Sequence, residues 1–138
     1  MTFLPEDDVE FLRRKAIPYE LKSETPPGGT VRNGIILPDF QFAGNLFTRE
    51  GEQLVSCTTC DLMILIPPQY ATTKLDSFYT RPYLKRQDGS DPQNTAIDQE
   101  LFGAKWQFWS RHLAKDQWRP DIDGLETYLQ HVRDALKV

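Results

Sequence analysis

The chain has 138 residues, the length of one ordinary domain, and 39% of them are hydrophobic and 12% aromatic, which is enough to form a buried core. The formal net charge is -4, so nothing in the composition favours binding to nucleic acid, which normally needs a basic surface. There is no run of about 18 apolar residues that could span a membrane. The acidic N-terminus is unlike a secretory signal, so we expect one domain, residues 1–138, in the cytoplasm.

The first third of the chain predicts a helix followed by two strands. A proline and three acidic residues make a good helix start, and Pro18 ends the helix that we predict over 6–16. A short strand is expected at 19–22. Alternating apolar residues predict a second strand over 33–42, interrupted at Pro38 because proline cannot donate a ladder hydrogen bond.

The clearest strand of the sequence is predicted over 54–66. It ends in five consecutive apolar residues, which indicates a central strand covered on both faces, and two prolines then end it. A further short extended piece is expected within 75–84, and the polar residues 85–95 are expected to form a loop.

The last third predicts an aromatic segment and a closing helix. Residues 97–109 are rich in aromatic side chains and are interpreted as an irregular part of the core. Apolar residues recur at helical spacing over 121–137, and Asp121, directly after a proline, can cap that helix. The order of elements predicts an α+β fold: an N-terminal helix, an antiparallel meander of about four strands and a C-terminal helix.

The two cysteines, Cys57 and Cys60, fall within the strand predicted over 54–66. Their spacing is also that of a redox pair or of half a zinc site. A redox pair of this spacing normally opens a helix, where the dipole lowers the pKa of a thiol. The sequence has no second cysteine pair, and His112 and His131 do not have zinc-finger spacing. We therefore predict structural cysteines with no metal and no cofactor; a metal or redox role and an unusual nucleophile are the alternatives.

Several landmarks follow one another in a particular order. The apolar strand end Leu62–Ile66 is followed by the turn Pro67–Tyr70, the stretch Phe78–Thr80 and, much later, a Trp-x-Pro step that starts at Trp118. This order resembles that of ubiquitin-conjugating enzymes, in which a catalytic cysteine lies eight residues before the tryptophan–proline step. The corresponding position here is Ser110.

The chain resembles more closely the prokaryotic ubiquitin-conjugating-like family E, over roughly residues 5–136. The resemblance implies the ubiquitin-conjugating fold and two partners, a ubiquitin-like protein and an activating-enzyme-like protein. The chain departs from the conjugating-enzyme pattern because Ser110 occupies the cysteine position and the His-Pro-Asn signature is absent. The segments that show the family resemblance are Asn33-Gly-Ile-Ile-Leu-Pro, Leu62-Met-Ile-Leu-Ile-Pro, Leu75-Asp-Ser-Phe-Tyr, Trp106-Gln-Phe-Trp-Ser-Arg-His-Leu and Trp118-Arg-Pro.

Three neighbouring residues are the candidates for chemistry at this position. A serine hydroxyl stays protonated near neutral pH and needs a base, so Ser110 is the candidate nucleophile and His112 the candidate base. Arg111 offers positive charge for a developing oxyanion. Further charged residues around them are Lys105, Lys115, Asp116 and Arg119.

Each feature also has a structural interpretation. Ser110 can simply cap or turn the chain, His112 can be a structural histidine, and the three tryptophans are expected to be core residues.

One hypothesis for the function is an unusual conjugating enzyme that holds the ubiquitin-like protein as an oxyester on serine and passes it to an amine. The other is a catalytically inert scaffold that binds the ubiquitin-like protein or its activating enzyme. The resemblance implies that the activating-enzyme-like partner binds the first helix, and we expect Arg13, Arg14 and Lys15 to form an exposed basic edge there.

Overall fold

The computed structural model describes residues 3–113 and 117–138, and within them the chain forms two helices and one six-stranded antiparallel sheet. The strands are arranged in the order β1-β2-β3-β4-β6-β5. This confirms the α+β class, with more strands than the four expected. The elements are α1 Glu6–Arg14, β1 Glu20–Glu24, β2 Arg32–Glu50, β3 Gln53–Ile66, β4 Phe78–Arg81, β5 Thr95–Leu101, β6 Ala104–Trp109 and α2 Leu125–Ala135. Neither helix in the described ranges is both long and apolar enough to cross a membrane.

The additional strands, β5 and β6, come from the aromatic segment that we expected to be irregular. Their pairing is interrupted by a register shift between Ala96 and Gln99, which breaks any regular alternation along β5. In β6, Trp106 and Trp109 are buried in different core clusters. Because both faces of β6 are covered, its sequence lacks the apolar–polar alternation typical of a half-buried strand.

Strand β2 runs through Pro38, where we expected an interruption. Its pairing with β3 shifts register between Leu37 and Phe40, and Asp39 adopts a left-handed conformation with φ of 55°. On the other side, the partner strand β1 pairs with β2 only as far as Ile36. Pro38 therefore lies in a bulge beyond the end of β1, where its missing N–H is tolerated.

The apolar end of β3 is covered on both faces, as its sequence predicted. Leu62 and Ile64 belong to the large core cluster, to which both helices contribute. Met63 points to the other face, where it is fully buried. It forms a smaller cluster there with Ile36, Leu101 and Trp106.

The smaller cluster is covered because the sheet curls until its two ends meet. The backbone N–H of Phe102, in the turn between β5 and β6, donates to Glu24 Oε1 in β1 at 3.0 Å. The ring of Phe102 lies against Gly34, where an added Cβ would be 2.8 Å from the ring. A glycine at position 34 is therefore what allows the β5–β6 turn to close over the sheet.

Helix α2 begins at Leu125, later than the predicted start at 121. Asp121 has a left-handed φ of 61°, and its N–H donates to the carbonyl of Ala71 at 3.0 Å, so the chain turns here and Asp121 does not cap the helix. Ile122, an apolar residue within the predicted helix 121–137, is 70% exposed. The buried stripe packed on the sheet consists of Leu125, Tyr128, Leu129, Val132 and Leu136.

Helix α1 ends at Arg14, two residues before the predicted end at 16. Ala16 has a left-handed φ of 53°, and the N–H of Ile17 donates to the carbonyl of Leu12 at 2.9 Å. Bonds of this kind satisfy carbonyls that a helix leaves free at its C-terminus. Pro18 thus follows the helix and does not itself terminate it.

Candidate functional site

Ser110 directly follows β6, and its backbone is held between the sheet and α2. The N–H of Ser110 donates to the carbonyl of Asn94 at 2.9 Å, which extends the pairing of β5 and β6 by one bond. The carbonyl of the next residue, Arg111, accepts a hydrogen bond from Nε2 of His131 in α2 at 3.2 Å. The segment that contains the candidate residues is therefore fixed on two sides.

Ser110 and His112 lie side by side. Oγ of Ser110 is 3.1 Å from Nε2 of His112, two residues further along the chain. This is hydrogen-bond distance for a serine nucleophile and its base. The serine and the histidine that the sequence selected are thus brought together.

The other ring nitrogen of His112 contacts a residue that the sequence analysis did not select. Nδ1 of His112 is 2.7 Å from Oδ1 of Asp76, in the segment before β4. An ionised carboxylate can only accept, so Nδ1 carries the ring proton and donates a hydrogen bond to Asp76. In the neutral ring Nε2 is then an acceptor, and the hydroxyl of Ser110 donates to it.

Asp76 is itself fixed by its backbone and by a neighbouring cation. Its carbonyl accepts a hydrogen bond from the hydroxyl of Tyr128 in α2. Burial raises the pKa of Tyr128, with a smaller effect from Asp76, so this hydroxyl stays a donor. The ammonium of Lys74 lies 3.9 Å from Asp76 Oδ1 and donates to the carbonyl of Leu113 at 2.8 Å. These contacts tie the Asp76 segment to the segment that follows β6.

Arg111 turns its guanidinium towards the backbone and an aromatic ring. The group lies over the ring of Trp109, 5.1 Å from its centre, and Nη1 donates to the carbonyl of Ser110 at 2.9 Å. Burial lowers the pKa of Arg111, with a smaller contribution from the charge of Arg86. These contacts brace the chain at Ser110; stabilisation of an oxyanion by Arg111 stays a prediction.

Of the further charged residues around Ser110, the structure describes Lys105 and Arg119. Arg119 donates to Asp123 at 2.9 Å, so its charge is matched within the chain, whereas Lys105 is exposed. Lys115 and Asp116 lie outside the described residues. The three tryptophans are buried, which confirms the core interpretation: Trp106, Trp109 and Trp118.

A groove of about 790 Å³ opens beside His112, and His112 and Asp76 both line it. This volume is in the range of small-molecule sites. Its walls come from the loop between β1 and β2, from the end of β3, and from Tyr79 in β4 and Phe108 in β6. We call it the His112 groove; its apolar lining includes Val31, Leu65, Pro67, Pro68, Tyr79 and Phe108.

Both cysteines lie in β3, as predicted, and neither has the surroundings of an activated thiol. Cys60 is buried in the large core cluster, and Cys57 is half-buried with Sγ 3.0 Å from the carbonyl of Thr59. Burial raises the pKa of both thiols, which disfavours the reactive thiolate. Among the residues that the structure describes, no three or more His, Cys, Asp or Glu side chains are grouped so that they could hold a metal ion.

Asp76 had no signal of its own in the sequence. It is 36 positions from His112, and it stands in Leu75-Asp-Ser-Phe-Tyr, a segment that we used only for the family resemblance. No local spacing rule links a residue before β4 to one after β6. Only the pairing of these two neighbouring strands places them together.

Two of the landmarks in the sequence are in contact. The rings of Tyr70 and Trp118 have centres 6.2 Å apart, and Nε1 of Trp118 donates to the carbonyl of Ala71 at 3.0 Å. The turn after β3 and the segment before α2 therefore pack against each other. The eight-residue spacing that selected Ser110 is measured from the buried Trp118.

The comparisons with known proteins identify one family. The family model described as prokaryotic E2 family E matches residues 4–138, nearly the whole chain. No curated protein and no solved structure shows a significant match.

Proposed function

The chain belongs to prokaryotic E2 family E, and we propose that it carries a ubiquitin-like protein as an oxyester on Ser110. The family indicates a conjugating-enzyme-like role, with a ubiquitin-like protein and an activating enzyme as partners in general. The observation that supports serine as the carrier is the 3.1 Å contact between Ser110 Oγ and His112 Nε2. A hydroxyl without such a base is a poor nucleophile at neutral pH.

In the first step, Ser110 Oγ attacks the carbonyl carbon of a thioester that links the ubiquitin-like protein to the activating enzyme. His112 Nε2 takes the hydroxyl proton, the activating enzyme's thiolate leaves, and an oxyester to Ser110 forms. A thioester is more reactive than an oxyester, so the transfer is downhill. Correct positioning can then supply much of the rate for a weak nucleophile.

In the second step, an amine attacks the oxyester and an amide forms. Ser110 Oγ leaves and regains the proton that His112 holds, and the amine nitrogen then loses its extra proton to the neutral His112, which passes it to solvent. An oxyester resists amines more than a thioester does, so this step makes the greater demand on the base and on docking of the acceptor. The proposal therefore predicts that the loaded protein accumulates when no acceptor is present.

The partner that supplies the thioester is an activating-enzyme-like protein, and we place its docking surface on the basic edge of α1. Arg13, Arg14 and Lys15 are all exposed. Two of these charges have partners within the chain, since Arg13 pairs with Glu10 at 2.6 Å and Arg14 lies 3.7 Å from Glu126. A cytoplasmic location, where such a pathway would operate, stays a prediction.

The test is to combine the chain with its cognate ubiquitin-like protein, the activating enzyme and ATP, and to follow the adduct by mass. An oxyester should survive reducing agent and be cleaved by hydroxylamine or mild alkali. Ser110→Ala should abolish it, Ser110→Cys should make it sensitive to reducing agent, and His112→Ala should slow its formation. Ser56→Ala, at an exposed serine of β3, is the matched control and should load normally.

The alternative is the inert scaffold, and the same experiment separates the two. A scaffold would bind the ubiquitin-like protein or the activating enzyme without forming an adduct, and Ser110→Ala would leave that binding unchanged. Conjugation that persists in Ser110→Ala would contradict the serine proposal.

A further inference from the structure

We propose that Asp76 completes a Ser110–His112–Asp76 relay that makes Ser110 reactive without any partner protein, so that the chain hydrolyses small activated esters. The inference shares Ser110 with the proposed function but does not need a ubiquitin-like protein. Asp76 acts here as a positioning residue, because it contacts His112 and not the reacting atoms.

The geometry of the three side chains is that of a nucleophile, a base and a group that orients the base. Ser110 Oγ is 3.1 Å from His112 Nε2, and His112 Nδ1 is 2.7 Å from Asp76 Oδ1. Asp76 therefore selects the ring form in which Nε2 can accept the hydroxyl proton. It also stabilises the positive charge that develops on the ring as the proton arrives. The same constellation occurs on unrelated folds, where it is recognised by geometry and not by chain position.

The side chains are open to a small substrate. The side chain of His112 is 60% exposed and that of Asp76 is 50% exposed. Both line the His112 groove, whose other walls are largely apolar. An ester with a short aliphatic or an aromatic group can place that group against Leu65, Tyr79 and Phe108, with its carbonyl near His112. Ser110 is half-buried and does not itself line the groove, and its Oγ reaches the substrate from beside His112.

The reaction needs only water as a second reactant. Ser110 Oγ attacks the ester carbonyl, its proton passes to His112 Nε2, and the alcohol leaves after taking that proton. Water then attacks the acyl-serine, gives a proton to His112 and releases the carboxylic acid, while Ser110 regains its proton. The histidine returns to its starting state, so the cycle can repeat.

The experiment uses an alkyl fluorophosphonate, which reacts with an activated serine by losing fluoride and forming a stable phosphonyl ester. The whole chain is incubated with this probe alone, and the labelled residue is found by peptide mass spectrometry. We expect labelling at Ser110, none in Ser110→Ala, and a rate at least about tenfold lower in Asp76→Asn and in His112→Ala. Hydrolysis of 4-nitrophenyl butyrate should follow the same order.

A double variant distinguishes a role of Asp76 in positioning His112 from a role in stabilising the fold. If Asp76 acts through His112, Asp76→Asn should have no further effect on the rate in the His112→Ala background. If Asp76→Asn only disturbed the fold, it would lower the labelling rate by the same factor in the wild type and in the His112→Ala variant. Asp134→Asn is the matched control, because Asp134 is 60% exposed and lies in α2 next to Lys137; its labelling rate should equal that of the wild type.

Failure of this inference and failure of the proposed function give different results. An unlabelled Ser110, or labelling that ignores Asp76 and His112, overturns the relay even if the ubiquitin-like adduct still forms. Labelling that depends on all three residues supports the relay, even if no ubiquitin-like protein is ever transferred to Ser110.

Discussion

The carboxylate of Asp8, in the first turns of α1, accepts a hydrogen bond from the backbone N–H of Leu125, the first residue of α2, at 3.1 Å. The two residues are 117 positions apart, and the hydroxyl of Tyr70 also donates to Asp8. Asp8 is only 5% exposed. A carboxylate of one helix thus satisfies a free N–H at the N-terminus of the other, where the helix dipole also favours negative charge.

Asp8 should make the stability of the fold depend on pH. Its pKa is raised above the ordinary aspartate value of 3.8, chiefly by burial, although the hydrogen bonds from Tyr70 and Leu125 oppose the rise. A raised pKa means that the folded state binds the proton more tightly than the unfolded state. The stabilisation from that proton is complete below pH 3.8 and is lost as the pH rises through the folded pKa.

The variant Asp8→Asn has no titratable group at this position and serves as the reference. The free energy of unfolding of the wild type minus that of Asp8→Asn should fall as the pH rises from below 3.8 through the raised pKa of folded Asp8. Urea unfolding of both proteins over this range measures the difference. If the difference grows as the pH rises, the assigned direction of the Asp8 pKa is wrong.

Gly124 should not tolerate a larger residue, because Asp8 lies against it. A Cβ added at position 124 would be 2.5 Å from Oδ1 of Asp8 and 3.3 Å from the hydroxyl of Tyr70. We expect Gly124→Ala to lower the free energy of unfolding by about 1–3 kcal/mol through this overlap. The same substitution made in an Asp8→Ala background should cost less, and an equal cost in both backgrounds would show that Asp8 is not the cause.

Truncations on the two faces of the sheet should differ in cost. Val132, in α2, is completely buried in the large core cluster, so Val132→Ala should destabilise the protein by about 2 kcal/mol. Leu65 is half-buried at the edge of the His112 groove, so Leu65→Ala should cost about 1 kcal/mol, since less contact is lost. Chemical unfolding measures both, and a larger loss for Leu65 would contradict this packing.

Reversing the charge of the basic edge should weaken the complex with the activating-enzyme-like partner. Arg13→Glu, Arg14→Glu and Lys15→Glu together replace exposed positive charge by negative charge. The loss of affinity should be greatest at low salt, because exposed charges are screened at higher ionic strength. Lys22→Glu, in the exposed strand β1, is the control; an unchanged affinity of the triple variant at low salt would place the interface elsewhere.

The thiol of Cys60 should be unreactive while the protein is folded. It is buried, and burial raises its pKa, so both access and thiolate content are low. Iodoacetamide should modify Cys60 at least about tenfold more slowly in buffer than in urea, and Cys57, which is half-buried, should react first. Equal rates of modification in buffer and in urea would show that the thiols are reactive in the folded protein and would make the cysteines candidate nucleophiles again.

Local pattern in the sequence determined several parts of this molecule. The strand predicted over 54–66 is β3, Gln53–Ile66, because a long apolar run followed by prolines has little choice of structure. Helical spacing of apolar residues over 121–137 predicted the closing helix, and its buried stripe includes Val132. Ser110 and His112 are two residues apart, so their proximity needs only a short extended segment.

The tertiary structure decided what local pattern could not. Strand β6 is covered on both faces and the pairing of β5 is interrupted by a register shift, so neither strand shows an alternation that a sequence rule could detect. Asp76 meets His112 only because the strands that precede and follow them, β4 and β6, are neighbours in the sheet. Asp8 reaches Leu125, and Glu24 reaches Phe102, because helix packing and the curl of the sheet close long stretches of chain. Contacts of this kind depend on how whole elements pack against each other, and no spacing between neighbouring residues encodes them.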